Sequence, residues 1–313
     1  MEINYLILAH KNPLQVKRLI TNLEDENTRF YIHVDLQTNI EEFKKSFANP
    51  HIHFLKRRFT GIWGDIGIVE ATLHGMKKIS RTNKKGYCIL LSGQDYPLVS
   101  KKKIKKFLQE KFPTEYITTY PMPHSGWERG GMDRLTYYKI NKSNKRKHFL
   151  QLSSIFDKEF YTPDTLGKIN YLRKSGRFRE LSQILKKRKF PSYIKPFGGS
   201  QWWGLTIGTI KKILDYVEQH PDYLKYHKYT LLPDEIFFQS ILMELQHKKS
   251  MKNLIDRSLT YVNWDRPSGP LPVTFEIHDF PELKIASKDY LFARKFDMMA
   301  NEKILDKIDS ELI

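Results

Sequence analysis

The chain has 313 residues, 40% hydrophobic and 13% aromatic, enough to build a sizeable core and to exclude disorder. With 53 Lys and Arg against 35 Asp and Glu it carries a formal charge of +18, which favours polyanionic partners such as nucleotides, nucleic acid or anionic lipid headgroups. No run approaches the ~18 apolar residues of a membrane helix, and MEINYLILAH opens as a buried strand without a basic leader, so a cytoplasmic location is expected.

The first hundred residues alternate short apolar runs with longer amphipathic stretches, the pattern of βαβ units and so of an α/β fold with a mostly parallel sheet flanked by helices. Strands are predicted at Asn4–Ala9, Arg29–Val34, His51–Phe54 and Gly86–Leu91. Between the first two, Leu14, Val16, Leu19, Ile20 and Leu23 recur at near-helical spacing, so Pro13–Leu23 reads as a helix with Asn12 as its N-cap. Ile66–Ile79 repeats that pattern. The single cysteine, Cys88, lies inside the apolar run YCILL, where burial is expected and an intramolecular disulfide is excluded.

A helix at Lys102–Glu110 and a strand at Glu115–Thr119 follow. From Pro121 to about Tyr193 the chain is rich in Lys, Arg, Ser and aromatic residues with weak periodicity, and reads as a basic, less regular insert. Structure resumes with the strand-like GGSQWWGLTIGTI, a helix at Ile210–Glu218 and a helix opened by Pro233 that runs through DEIFFQSILMEL. Val262–Trp264, a Pro/Gly-rich loop to Pro272, the strand-like VTFEI and a final helical segment complete one domain without repeats. The basic stretches Lys101–Lys106, Asn144–His148 and Lys186–Lys189 read as solvated faces, with attraction to an anionic membrane as the other reading.

In open α/β sheets ligands bind beyond the carboxyl ends of the strands, which here places His10, Asp35, Gly93–Gln94–Asp95 and Thr118–Tyr120 on one face. Polar residues end most strands, so each of these alone is as well read as a turn or cap. LPDEIFFQSIL sets Asp234 and Glu235 at the first turn of a helix anchored by Ile236, Phe237, Ile241 and Leu242. First-turn carboxylates complement the helix dipole; a carboxylate held beside an aromatic run can also be tuned towards general-base work. No H-x-x-x-H pair with an adjacent acid and no D-x-D after an apolar run offers a metal site, and no phosphate-binding glycine motif occurs. A bound diphosphate would need cations, for which Arg266, Arg294 and Lys295 are the candidates.

Seven ordered strings, LILAHKNPLQVKRLI, FYIHVD, LSGQDYPL, GGSQWWGLT, LPDEIFFQSIL, VNWDR and LFARKFD, spread over residues 4–297. Together they resemble glycosyltransferase family 14, the core 2/I-branching N-acetylglucosaminyltransferases and protein xylosyltransferases, in a bacterial-type member. The resemblance implies a GT-A-like fold, one catalytic domain over 1–313 and no metal or other cofactor. It further implies inverting transfer from a UDP-sugar, most typically UDP-N-acetylglucosamine, to a hydroxyl of an acceptor glycan, free or lipid-linked. Glu235 in Pro233–Asp234–Glu235 takes the position of the family's catalytic base. Leu8, Ala9, His10 and Asp35 match its uridine-binding strand ends, and Lys295 matches its diphosphate lysine.

Trp63 falls on the donor side of the resemblance, but the family aromatic three residues before it is Thr60 here. The family's second diphosphate cation has no counterpart near Val273–Phe275, leaving Arg266 or Arg294 to replace it. The acceptor-binding acid and base match Glu128 and Arg129 in GWERGGMDR, with Gln94, Asp95, Ser200 and Trp202 lining the sugar and acceptor cleft. Of the adjacent Trp202 and Trp203, only one can face that cleft. The animal members' disulfides and signal anchor have no match, which fits an enzyme of polysaccharide biosynthesis in the cytoplasm or at the inner face of its membrane. Three other readings stand beside this one: a xylosyltransferase using UDP-xylose, a glycan-binding module that has lost its chemistry, and a basic nucleic-acid-binding protein. Against the last, no recognised basic-aromatic motif appears and the aromatics lie mostly in apolar runs, so no specific nucleic-acid partner is expected.

Overall fold

The computed structural model describes residues 1–47, 50–266 and 269–313. Its strands are β1 (Ile3–Ala9), β2 (Thr28–Val34), β3 (Ile52–Phe54), β4 (Tyr87–Ser92), β5 (Asp95–Pro97), β6 (Glu115–Pro121), β7 (Tyr138–Asn141), β8 (Phe149–Leu152), β9 (Phe197–Thr206), β10 (Ile255–Asp256), β11 (Thr260–Val262) and β12 (Phe292–Arg294). A seven-stranded sheet runs in the order β10-β6-β9-β4-β1-β2-β3, with β9 antiparallel to both its neighbours and the other pairings parallel. This is the mostly parallel, helix-flanked α/β sheet that the sequence predicts.

Its apolar runs are continuous because both faces are covered. In β1, Tyr5 and Ile7 join a core with Val16, Leu19 and Ile20 of the helix Pro13–Leu23, whereas Leu6 faces the other side, towards Val69 and Met76 of the helix Gly67–Thr82. Cys88 is buried on that second face, between Ile89 and Tyr87 of the first. The period of two thus sorts one strand's side chains between two cores.

Three local expectations change. Asn12 does not cap its helix: its backbone is left-handed at φ 52°, and its side-chain amide instead donates to Asp297 at 2.9 Å. The Pro233 segment is a 3-10 turn over Pro233–Glu235, broken at Ile236 (φ −131°) before the helix Phe237–His247 begins. VTFEI is not a strand. Its Val273 carbonyl accepts from the Lys295 amide and its Phe275 amide donates to the Lys295 carbonyl, so this extended segment braces the chain just beyond β12. Pro267 and Ser268, in the predicted Pro/Gly-rich loop, lie outside the described residues.

The basic insert is more regular than its periodicity suggests. It contains the β7–β8 hairpin and the helices Pro163–Lys174 and Phe178–Gln183 around a small core of Tyr138, Ile140, Leu152, Leu172 and Ile184. The longer helix buries only Thr165 and Leu172, too few apolar positions to register as a stripe.

Candidate active site

The carboxyl ends of β1, β2 and β4 are clipped together by backbone bonds: the Asp35 amide donates to the Ala9 carbonyl at 2.8 Å and the Gly93 amide to the Leu8 carbonyl at 2.9 Å. Arg58 stiffens the turn after β2 by donating to the carbonyls of Val34, Asp35, Leu36 and Thr38. The Asp35 carboxylate accepts from the amides of Gln37 and Gly61. A Cβ at Gly61 would lie 2.8 Å from Asp35 Oδ2, so glycine permits that approach. His10 is exposed at the rim, its carbonyl held by the Thr38 hydroxyl at 2.9 Å. Leu8, Ala9, His10 and Asp35 therefore meet at one end of the sheet.

Beside it, cations gather. Lys295 is half-buried and makes no salt bridge among the described residues. Its ammonium is held below the ordinary lysine range first by burial and then by the charges of Arg146, Arg294 and Lys11. Lys11 is paired with Asp297 at 2.6 Å and Arg294 with Asp95 at 2.9 Å. Arg146, from the turn between β7 and β8, donates to the Leu271 carbonyl at 3.3 Å and lies 5.5 Å from the Trp63 ring, which stacks on Phe149. Two cations without a carboxylate partner among the described residues, Lys295 and Arg146, thus adjoin the strand ends. Arg266, by contrast, is committed to Asp279.

Glu235 sits on the 3-10 turn with its side chain 24% exposed, and its Oε2 accepts from Arg134 Nη1 at 2.7 Å. The Arg134 guanidinium lies 3.7 Å from the centre of the Trp127 ring, which meets Tyr120 edge-on. Gly198 of β9 makes room for this stack, since a Cβ there would come within 2.6 Å of Trp127. Burial raises the Glu235 carboxyl above its ordinary value, and the charges of Arg134 and then Arg294 oppose the shift. Asp234 is pushed up by burial and then by the charge of Glu235, and its Oδ1 is buried without a hydrogen-bond partner. Lys139, 1% exposed and 3.5 Å from Asp65, is lowered by burial against the pull of Asp65 and Asp234.

The remaining candidates divide. Asp95 is fully buried; its carboxylate accepts from Arg294 and from the Ser92 amide, while Gln94 donates from its side chain to the Phe296 carbonyl at 3.3 Å. Arg294 also lies 4.2 Å from the Trp202 ring, and Trp203 packs on Phe238. Both tryptophans are buried, and a guanidinium lies over the Trp202 ring. Ser200 opens into a groove with Thr118, Arg257, Tyr261, Trp264 and Tyr290. Glu128 and Arg129 are exposed, and Arg129 turns to the Tyr137 hydroxyl at 3.3 Å. The base that reaches Glu235 is Arg134, further along the same GWERGGMDR string.

The basic stretch Lys186–Lys189 is not wholly a solvated face. Arg188 is 8% exposed, and its fork donates to the carbonyls of Arg134, Tyr137 and Tyr226 and to the Thr230 hydroxyl. Five fixed N–H groups let one guanidinium satisfy several acceptors at once, which makes burial tolerable without a carboxylate. It ties the turn carrying Arg134 to the segment that leads into Pro233. Among the described residues, no three His, Cys, Asp or Glu converge as a metal site, and no helix is long and apolar enough to cross a membrane.

The family model described as Core-2/I-branching enzyme matches residues 3–287. Xylosyltransferase 2 of Rattus norvegicus is 25% identical over 338 residues, covering 100% of this chain and 34% of that protein. Xylosyltransferase oxt of Drosophila melanogaster is 26% identical over 321 residues, covering 95% and 32%. The chain therefore spans about a third of the length of these curated relatives (34% and 32%). Among solved structures, mouse xyloside xylosyltransferase 1 in its apo form is 9% identical with a TM-score of 0.37, covering 94% of this chain and 97% of that one.

Proposed function

The chain belongs to the Core-2/I-branching enzyme family, and from that premise we propose that it is an inverting glycosyltransferase moving a sugar from a UDP-sugar to a hydroxyl of an acceptor glycan. The observation that carries this reading is Glu235: a partly exposed carboxylate on a 3-10 turn, oriented by Arg134 and raised by burial. That combination suits a general base. Glu235 takes the proton of the acceptor hydroxyl as its oxygen bonds to the anomeric carbon, while the bond from that carbon to the UDP oxygen breaks. An α-linked donor then gives a β-linked product.

The leaving UDP carries the departing charge, and Lys295 with Arg146 is the pair available to stabilise it. Arg294 supports them from its bond to Asp95, so neither of the expected substitutes, Arg266 or Arg294, is as free as Arg146. In this reading fixed cations do the work of a metal ion, and no cofactor is needed. The strand-end face of Leu8, Ala9, His10 and Asp35 receives the uridine, with Trp63 beneath Arg146.

The donor sugar is read as N-acetylglucosamine, after the family's branching enzymes. The names of the relatives support a second reading, xylose. The test is UDP release from UDP-N-acetylglucosamine, UDP-xylose and UDP-glucose over a panel of acceptor glycans, with the product's anomeric configuration assigned by NMR. Release with one donor and a β-linked product supports the reading; an α-linked product overturns the inverting mechanism.

A further inference from the structure

We infer that the basic insert is a membrane-docking face, which seats the protein on a bilayer rich in anionic lipid independently of the donor chemistry. Single exposed apolar side chains are ordinary, but their concentration is not. Of thirteen large hydrophobic residues exposed among the described residues, five fall between 156 and 185: Phe156 61%, Tyr161 76%, Leu166 69%, Phe178 62% and Leu185 58%. They are not strays from the insert's own core, which Tyr138, Ile140, Leu152, Leu172 and Ile184 fill.

Backbone geometry brings three of them together. The Ile155 amide donates to the Ile184 carbonyl at 3.0 Å, and the Tyr161 hydroxyl donates to the Ile155 carbonyl at 2.9 Å. Phe156, Tyr161 and Leu185 therefore project from one neighbourhood. The helices that carry Leu166 and Phe178, Pro163–Lys174 and Phe178–Gln183, pack against each other next to it.

Charge identifies the occupant. Residues 142–189 hold fourteen Lys and Arg against four Asp and Glu; leaving out Arg188, which is buried, and Arg146, which lies by Trp63, twelve cations remain. Two of those acids are already engaged, Asp157 by Lys187 and Asp164 by Lys168. Lys158 and Lys186, both exposed, stand next to the apolar tips in the chain. A cationic surface studded with aromatic and aliphatic tips matches the boundary between anionic headgroups and acyl chains, where both kinds of contact are made at once. A nucleic acid would use the cations and aromatic faces but would leave Leu166 and Leu185 without a role. The same insert delivers Arg146 and Lys139 to the candidate active site, so docking would hold that site close to a bilayer.

The test is co-sedimentation of the whole chain with vesicles of phosphatidylcholine alone and of equal parts phosphatidylcholine and phosphatidylglycerol, over a range of salt. Wild type should sediment with the anionic vesicles only, and less as salt rises. Each cation near such a surface strengthens partitioning about five-fold, so K158E/K186E should weaken it by about 25-fold or more. F156S/L185S should also lose binding while melting at the wild-type temperature, since both side chains are exposed. F156W should gain, over the five Trp of wild type, a blue-shifted emission component on the anionic vesicles, and no added shift would leave this tip in water and overturn the inference. Wild type remaining in the supernatant with anionic vesicles overturns the inference. So does F156S/L185S sedimenting like wild type while single-stranded DNA competes for the same face, which would make it a general polyanion surface.

Discussion

Glu235 and Arg134 are 101 positions apart in the chain, yet their side chains meet at 2.7 Å. Arg134 is itself fixed, by Trp127 beneath its guanidinium and by Arg188 on its carbonyl. The insert and the carboxyl-terminal part of the domain are thus joined at the residue proposed to take the acceptor's proton.

Replacing Glu235 with Gln keeps the shape and removes the base. Transfer should fall by about 10²- to 10⁴-fold, the range for a lost general base, while UDP affinity stays near wild type. Steady-state transfer and UDP titration on the same preparation check both. A large loss of UDP affinity would give Glu235 a structural role instead.

The pH profile follows from the direction of the shift. A base works when ionised, and burial raises the Glu235 carboxyl. Activity should therefore fail on the acid side at a pH above the ordinary carboxylate range. Arg134 opposes the rise, so Arg134→Ala should move that acid limb further upward. A limb that stays in place or moves down would show that Arg134 does not tune the base.

Lys295→Ala and Arg146→Ala should each weaken UDP by about 10- to 100-fold, the cost of a lost charge-assisted bond, with uridine affinity unchanged. Arg146→Lys should recover part of the loss. Calorimetric titration of UDP and uridine distinguishes this from a general disturbance, which would weaken both.

Arg188→Ala leaves the buried Thr230 hydroxyl and three part-buried carbonyls without this donor. An unsatisfied buried group costs about 1–3 kcal/mol, so a loss of at least about 2 kcal/mol is expected in denaturant unfolding. Lysine, a single point of charge, should restore little of it.

The parallel half of the sheet was legible because its strands bury both faces, leaving uninterrupted apolar runs, and the helix Pro13–Leu23 has the bounds its periodicity suggests. Glu235 could be singled out from its string, but the form of its turn could not: the break at Ile236 leaves no mark in residue type. Arg134 lay within the string already picked for acceptor binding, and only the fold shows that it, and not Arg129, reaches Glu235. Arg146 and Arg188 were hidden in basic runs. Burial and ion pairing of a cation depend on which distant carbonyls and rings surround it, and Lys–Arg composition carries no trace of that. The contact of Trp202 with Arg294 is unreadable for a similar reason, since Arg294 comes from the far end of the chain.

The measurement that bears most directly on the central claim is a calorimetric titration of UDP into wild type in the presence of EDTA, repeated with Glu235→Gln and Lys295→Ala. Metal-free binding to wild type is expected, nearly unchanged in Glu235→Gln and strongly weakened in Lys295→Ala. UDP binding that appears only when Mn²⁺ is restored, or no response to any uridine nucleotide, would contradict it.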